Sequence, residues 1–203
     1  MWIHRKKGLL CLLLAAALLA LTGCSSGEDK KEAAENTPLY VVVAATYVDD
    51  PMLEGLREEL GKVTAAPDIV VSGVSMGDTE KDPMGAMAGM TQLGGRMASK
   101  EIDVLITDAD IARRFGDNGE AYLPINDTFE SGDIERFSAG LACVAIVNDE
   151  GEVTDEVSAP CGARLSENAS ALTGLAEMQM FIPANTKKTE MAKAVFTHLA
   201  TLP

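Results

Sequence analysis

The sequence predicts an α/β domain with a mostly parallel central sheet, flanking helices and a small antiparallel hairpin. Three observations carry that expectation. Short apolar runs at Leu39–Tyr47, Ala66–Ser75 and Ile102–Thr107 have the length and β-branched content of strands buried on both faces. Between them lie stretches with apolar residues at helical spacing, two of which open on a carboxylate and a proline, Asp49-Asp50-Pro51 and Asp82-Pro83. Strand, helix, strand, helix, strand in that order implies parallel pairing through right-handed crossovers.

The chain starts with His4, Arg5, Lys6 and Lys7, then an apolar block from Gly8 to Leu21. That block falls short of the roughly 20 residues that span a bilayer, so residues 1–23 read as a signal peptide. It ends in Leu21-Thr22-Gly23-Cys24, small residues directly before a cysteine, with a polar Ser25-Ser26-Gly27 behind it. This resembles the lipobox of bacterial lipoproteins. The resemblance implies cleavage before Cys24, acylation of that cysteine by palmitate-type chains, and anchoring in membrane lipid on the outer face of the bacterial cytoplasmic membrane. Residues 24–37, polar and charged without apolar periodicity, are expected to be a flexible tether.

Loss of residues 1–23 removes three cations and no acid, taking the formal net charge from −14 to −17. Such a surface repels phosphate backbones and anionic headgroups, so nucleic acid is excluded as a partner and attachment falls to the lipid. The same cut removes the only tryptophan, Trp2, and one of the two histidines, His4.

Residues 38–203 have the length of one domain. Leu39–Tyr47 is the expected central strand, followed by a helix with Met52, Leu53, Leu56, Leu60 and Val63 on one face. Ala66–Ser75 gives the second strand and Asp82-Pro83 opens a second helix running to about Lys100. Ile102–Thr107 is the third strand, with Asp108-Ala109-Asp110 leading into a short helix around Ile111–Phe115. Ser131 suits the cap of another short helix through Phe137. Cys143–Asn148 and Val153–Val157 flank Asp149-Glu150-Gly151-Glu152 and read as the hairpin. Met178–Ile182 is the last core strand, and a terminal helix buries Met191, Ala192, Val195, Phe196 and Leu199.

This layout, with the lipobox and the terminal phrase IPANTKKTEMAKAVFTHL, is similar to extracytoplasmic solute-binding lipoproteins of ABC transporters with the type 2 periplasmic-binding fold. Phe181–Lys188 matches a family phrase like VPANSK, where a late strand returns to the first lobe before a helix such as Thr189–Leu202. The segment LGGRMASKEIDVLITDADIARRFGDNGEAYLPI resembles the family's second helix, third strand and following loop. Members trap ligand between two hinged lobes, whereas residues 38–203 suffice for one lobe and a hairpin. The resemblance implies capture or sensing of a small-molecule ligand with a membrane permease. The alternative is a degenerate lobe docking on an envelope protein.

Ligand sites in such folds lie at the carboxyl ends of parallel strands. That rule nominates Thr46 and Tyr47 after the first strand, Ser75 and Met76 after the second, and Thr107, Asp108 and Asp110 after the third. Tyr47 can stack on a ligand and the aspartates can accept from an amine or hydroxyl, while Asp110 and Ser75 equally suit a helix cap and a turn. With few aromatic platforms, sugars are disfavoured as ligands.

Beyond residue 23 the only histidine is His198, in a helix of structural character, so a catalytic triad or a His-rich metal site has no supporting pattern and a non-enzymatic protein without cofactor is expected. Met84, Met87, Met90 and Met97, with Leu93 between, recur at helical spacing. Thioethers hold Cu(I), but the spacing also makes a core-facing stripe in which Met fills gaps beside Gly85, Gly89, Gly94 and Gly95, and the stripe is the expectation. Cys143 and Cys161 are a candidate disulfide outside the cytoplasm; a buried strand thiol and an unrelated loop thiol are the equal alternative.

Overall fold

Strand β1 (Leu39–Ala45) sends its side chains alternately into two apolar cores, Leu39, Val41 and Val43 to one and Val42 and Ala44 to the other. A valine-rich run without polar interruption suits that double burial. In the computed structural model, which describes residues 37–203 apart from 67 and 138, β1 lies between β2 (Ile69–Ser75) and β3 (Val104–Thr107) and runs parallel to both. The signal peptide, Cys24 and residues 24–36 of the tether lie outside the described residues.

Helix α1 (Asp50–Leu60) links β1 to β2. The Asp49 carboxylate accepts from the Met52 N–H at 2.9 Å, Pro51 supplies the preset φ of the first turn, and Leu53, Leu56 and Leu60 face the first core. Helix α2 (Pro83–Ala98) repeats the device, with Asp82 accepting from the Gly85 N–H at 2.9 Å. Helix α3 (Ala109–Phe115) follows β3 under an Asp108 cap.

From there the alternation ends. The chain passes through short helices α4 (Ile125–Thr128) and α5 (Ser131–Ile134); Ser131 is the first residue of α5 and not its cap, and Glu130, which precedes it, makes no side-chain capping hydrogen bond. It then makes strand β4 (Leu141–Ala142), the antiparallel hairpin β5 (Ala145–Val147) and β6 (Val153–Val157), strand β7 (Gly162–Arg164), helix α6 (Glu167–Thr173), strand β8 (Gln179–Phe181) and helix α7 (Thr189–Thr201). The six-stranded sheet has the order β2-β1-β3-β8-β7-β4.

The expected mostly parallel sheet is corrected to a mixed one. Pairings of β1 with β2 and β3 are parallel, whereas β3 with β8, β8 with β7 and β7 with β4 are antiparallel. Parallel pairing requires a long crossover, and only the segment before Tyr122 places long helices between strands, since the long α7 follows the last strand. The later strands are two or three residues long and enter by turns. Gly162 is required there, because a Cβ would lie 2.6 Å from both the Met180 carbonyl oxygen and the Phe181 ring.

The first core carries α1, α6 and α7, the second α2 and α3. A cluster of Phe129, Phe137 and Phe196, with ring centroids 5.0 to 5.6 Å apart, ties the segment around α4 and α5 to α7.

Two buried charges join elements distant in sequence. Glu59 on α1 meets the His198 Nε2 of α7 at 2.8 Å and also pairs with Lys62. The Lys62 hydrogen bond lowers the Glu59 carboxyl from its ordinary value, against desolvation that raises it, and the His198 hydrogen bond adds to the lowering. A depressed folded value contributes stability above the unfolded value near 4.5, lost as pH falls through the folded value. The expected result for Glu59→Gln is a loss of about 1–2 kcal/mol at pH 7. Urea unfolding at pH 7 and at pH 3.5 checks it: the gap to the parent protein should narrow in acid, and a gap independent of pH refutes the assignment.

The second charge is Lys188, 8% exposed, beside Asp103, 4% exposed, at 3.3 Å. Asp103 also accepts from the Tyr40 N–H at 2.9 Å and the Thr186 hydroxyl at 2.6 Å. Lys188 donates to the Pro38 carbonyl and lies 5.0 Å from the Tyr40 ring centroid.

Candidate functional site

A crevice of about 240 Å³ opens at the carboxyl ends of β1, β2 and β3, between α2 and α3. Its position follows from the loops. After β2 the chain turns at Gly77, whose φ of +66° and the 2.7 Å between its Cβ position and the Ala86 nitrogen admit no side chain. Gly89 lets α2 press on the strand end, since a Cβ there would lie 2.4 Å from the Ser75 carbonyl oxygen. The remaining space is lined by Thr46, Met76, Asp78, Thr79, Met90, Asp108, Asp110, Ile111 and Arg114, with Gly77 and Ala86.

Each carboxylate already has protein partners. Asp78 accepts from the Lys81 ammonium at 2.9 Å and from the Glu80 and Lys81 N–H groups, and these bonds, Lys81 first, hold it below its ordinary value. Asp108 caps α3 by accepting from the Ile111 N–H at 2.8 Å. Asp110 pairs with Arg113 and, at 2.8 Å, with the Arg114 Nε. Desolvation raises the Asp110 carboxyl, but the Arg113 hydrogen bond and the two guanidinium charges outweigh it and the net shift is downward. Exposed Thr46 and Thr79 stand in the lining with the carboxylates, while Met76, Met90, Ala86 and Ile111 add apolar surface. Such a mixture orients a small polar molecule and shelters its apolar part.

Of the sequence-nominated residues, Thr46, Met76, Asp108 and Asp110 come together here. Tyr47 does not; it is 67% exposed. Ser75 accepts from the Val48 N–H at 3.3 Å, and Thr107 is buried with its hydroxyl donated to the Ala44 carbonyl at 2.7 Å. Sequence reasoning missed Asp78, Thr79 and Arg114. Arg114 had a readable signal, an i,i+4 relation to Asp110 on one helix.

The methionine stripe is corrected. Met84 is 77% and Met87 67% exposed, and the inner face of α2 is instead Ala86, Gly89 and Leu93, with Met90 and Met97 half-buried at its border. The close approach at Gly89 demands small residues inward, which turns the first two methionines to solvent.

Cys143 and Cys161 are free thiols in this structure, the first half-buried and the second buried. Burial pushes the Cys161 thiol up, partly opposed by a hydrogen-bond contact of 3.7 Å with the Ser158 hydroxyl. Among the described residues no group of three or more His, Cys, Asp or Glu is placed to hold a metal ion, and no helix is long and apolar enough to cross a membrane. No protein family, curated protein or solved structure matches the sequence.

Proposed function

We propose that this protein is a lipid-anchored extracytoplasmic lipoprotein that captures or senses a small solute for a membrane transporter. The observation that carries this reading is the crevice at the carboxyl ends of three adjacent parallel strands, where α/β sheets take their ligands. The return of β8 to the side of β3, just before closing helix α7, agrees with the resemblance of Phe181–Lys188 to solute-binding lipoproteins. The lipobox at Cys24 supplies the anchor and the location. At about 240 Å³ the space lies below the roughly 300–1,000 Å³ of sites enclosing drug-sized ligands, which suits a solute of amino-acid size.

A second reading, a lobe that docks on an envelope protein, is favoured by the exposed Tyr47, Met84 and Met87. Thermal unfolding against a panel of amino acids, short peptides, polyamines and sugars separates the two. A ligand at 100 times its dissociation constant adds about 2.7 kcal/mol, a rise of roughly 5–10 °C. The expected result is such a rise with one solute class, abolished by Arg114→Ala or Thr46→Val. A flat response from a cooperatively unfolding protein sinks solute capture for those classes and favours docking.

A further inference from the structure

We propose that the outer edge of β2 binds the carboxyl-terminal residues of a partner protein as an added strand, with an apolar last side chain and its free carboxylate held by Arg57. The first ground is the edge itself. β2 is the outermost strand on its side of the six-stranded sheet and pairs with β1 without interruption from Ile69 to Ser75. The Leu39 N–H donates to the Asp68 carbonyl and the Met76 N–H to the Ala45 carbonyl. In a parallel ladder those two bonds assign the backbone groups of Val70, Ser72 and Val74 to β1. The groups of Ile69, Val71 and Gly73 therefore point away from the sheet.

Natural sheets blunt such edges with short strands, charged residues, proline or bulges. The opposite edge follows that rule, β4 being two residues long. β2 has seven residues, no charge, no proline and no break in register. A row of outward donors and acceptors is what an extended peptide satisfies by adding a strand.

The second ground is a cleft of about 440 Å³ beside that edge, where Leu60, Val63, Ala66, Ile69 and Val71 line it and Arg57 is its one charged residue. The Arg57 guanidinium donates to the Val71 carbonyl at 3.2 Å and to the Glu54 carboxylate at 3.0 Å. Two of its five N–H donors are so used, which leaves donors for a further carboxylate. An apolar side chain next to a carboxylate is the chemistry of a chain terminus. A peptide antiparallel to β2 would end at the beginning of that strand, where the cleft lies. Opposed residues share a face, so the one across from Val71 puts its side chain on the cleft side while those before it run along Gly73. A second copy of this chain is a poorer occupant, because it brings another formal charge of −14. The cleft adjoins the start of β2 and the crevice its end, so this docking does not rest on solute capture.

The test uses the full-length chain in detergent and an array of synthetic hexapeptides with free carboxyl ends, varied over all residue types at the last and third-from-last positions. Peptides ending in Val, Ile or Leu should bind, and with nitrogen-15 labelling the N–H signals of Ile69, Val71 and Gly73 should shift. Amidating the carboxyl end of the best peptide, or Arg57→Gln, should weaken binding at least about tenfold with the circular dichroism unchanged. Should Arg57→Gln not fold, the amidated peptide against the parent chain asks the same question. Methylating one alternate set of peptide nitrogens should abolish binding and methylating the other should not, because only one set faces β2. Octanoate, a carboxylate with an apolar tail and no main chain, should bind at least about tenfold more weakly than the best peptide. No binding across the array, amides that bind as acids do, octanoate that binds as tightly as the best peptide, or a dimer in sedimentation that already protects these N–H groups each overturns the proposal. None of these results bears on the solute panel.

Discussion

Lys188→Met is expected to cost about 3–5 kcal/mol of folding stability and to lower the melting temperature by roughly 6–20 °C. Methionine keeps the aliphatic stem that passes Tyr40 but removes the ammonium, leaving Asp103 buried with a negative charge and no counterion. Asp103 cannot relax toward water, since its two oxygens are fixed by the Tyr40 N–H and the Thr186 hydroxyl. A buried charge stripped of its partner costs more than the intact pair contributes, so Asp103→Asn combined with Lys188→Met should recover part of the loss. Urea unfolding of the two single variants and the double variant measures this directly. A Lys188→Met protein melting within about 2 °C of the parent shows the pair to be energetically idle.

Phe196→Ala should cost a similar amount, about 3–5 kcal/mol, through a different cause. The ring is fully buried between those of Phe129 and Phe137, so truncation removes its transfer energy, opens a cavity and breaks two ring contacts together. Its neighbours lie beside the short helices α4 and α5, each of four residues, whose local hydrogen bonds are too few to hold them without packing. Hydrogen exchange should therefore lose protection around residues 125–137 before it does so in β1. Equal loss in both places would mean that the aromatic cluster does not hold this segment separately from the sheet.

The first half of the fold was readable because each element carries its own signal. β1, β2 and β3 are apolar runs of four to seven residues. Two of their helices begin at Asp49 and Asp82, side chains that do accept from the expected backbone N–H groups, while the third is capped by Asp108 instead of Asp110. The hairpin and the terminal helix were legible for the same reason. The antiparallel half was not, because β4 and β7 are Leu141–Ala142 and Gly162–Arg164, too short to show a period and paired by contacts far away in sequence. Helix α6 likewise left no signal strong enough to read. In the crevice, strand-end residues on the inner side were found, while Asp78 and Thr79 arrive by a loop whose path depends on Gly77. The methionines show the limit of periodicity: spacing says that side chains share a face, and packing at Gly89 decides which face is inward.

The tie between Lys188 and Pro38 bears on how the domain carries mechanical load. A pull arriving through residues before Thr37 enters at Pro38, and the strand-end crevice sits at the opposite end of β1, so tension between the two runs along that strand. β1 is hydrogen-bonded on both sides to parallel neighbours, and under lengthwise force the two ladders must slide at once rather than open bond by bond. The ammonium of Lys188 fastens the loaded end to the segment leading into α7. The strand through which tension would pass is thus the one held in shear on both flanks and pinned at its start.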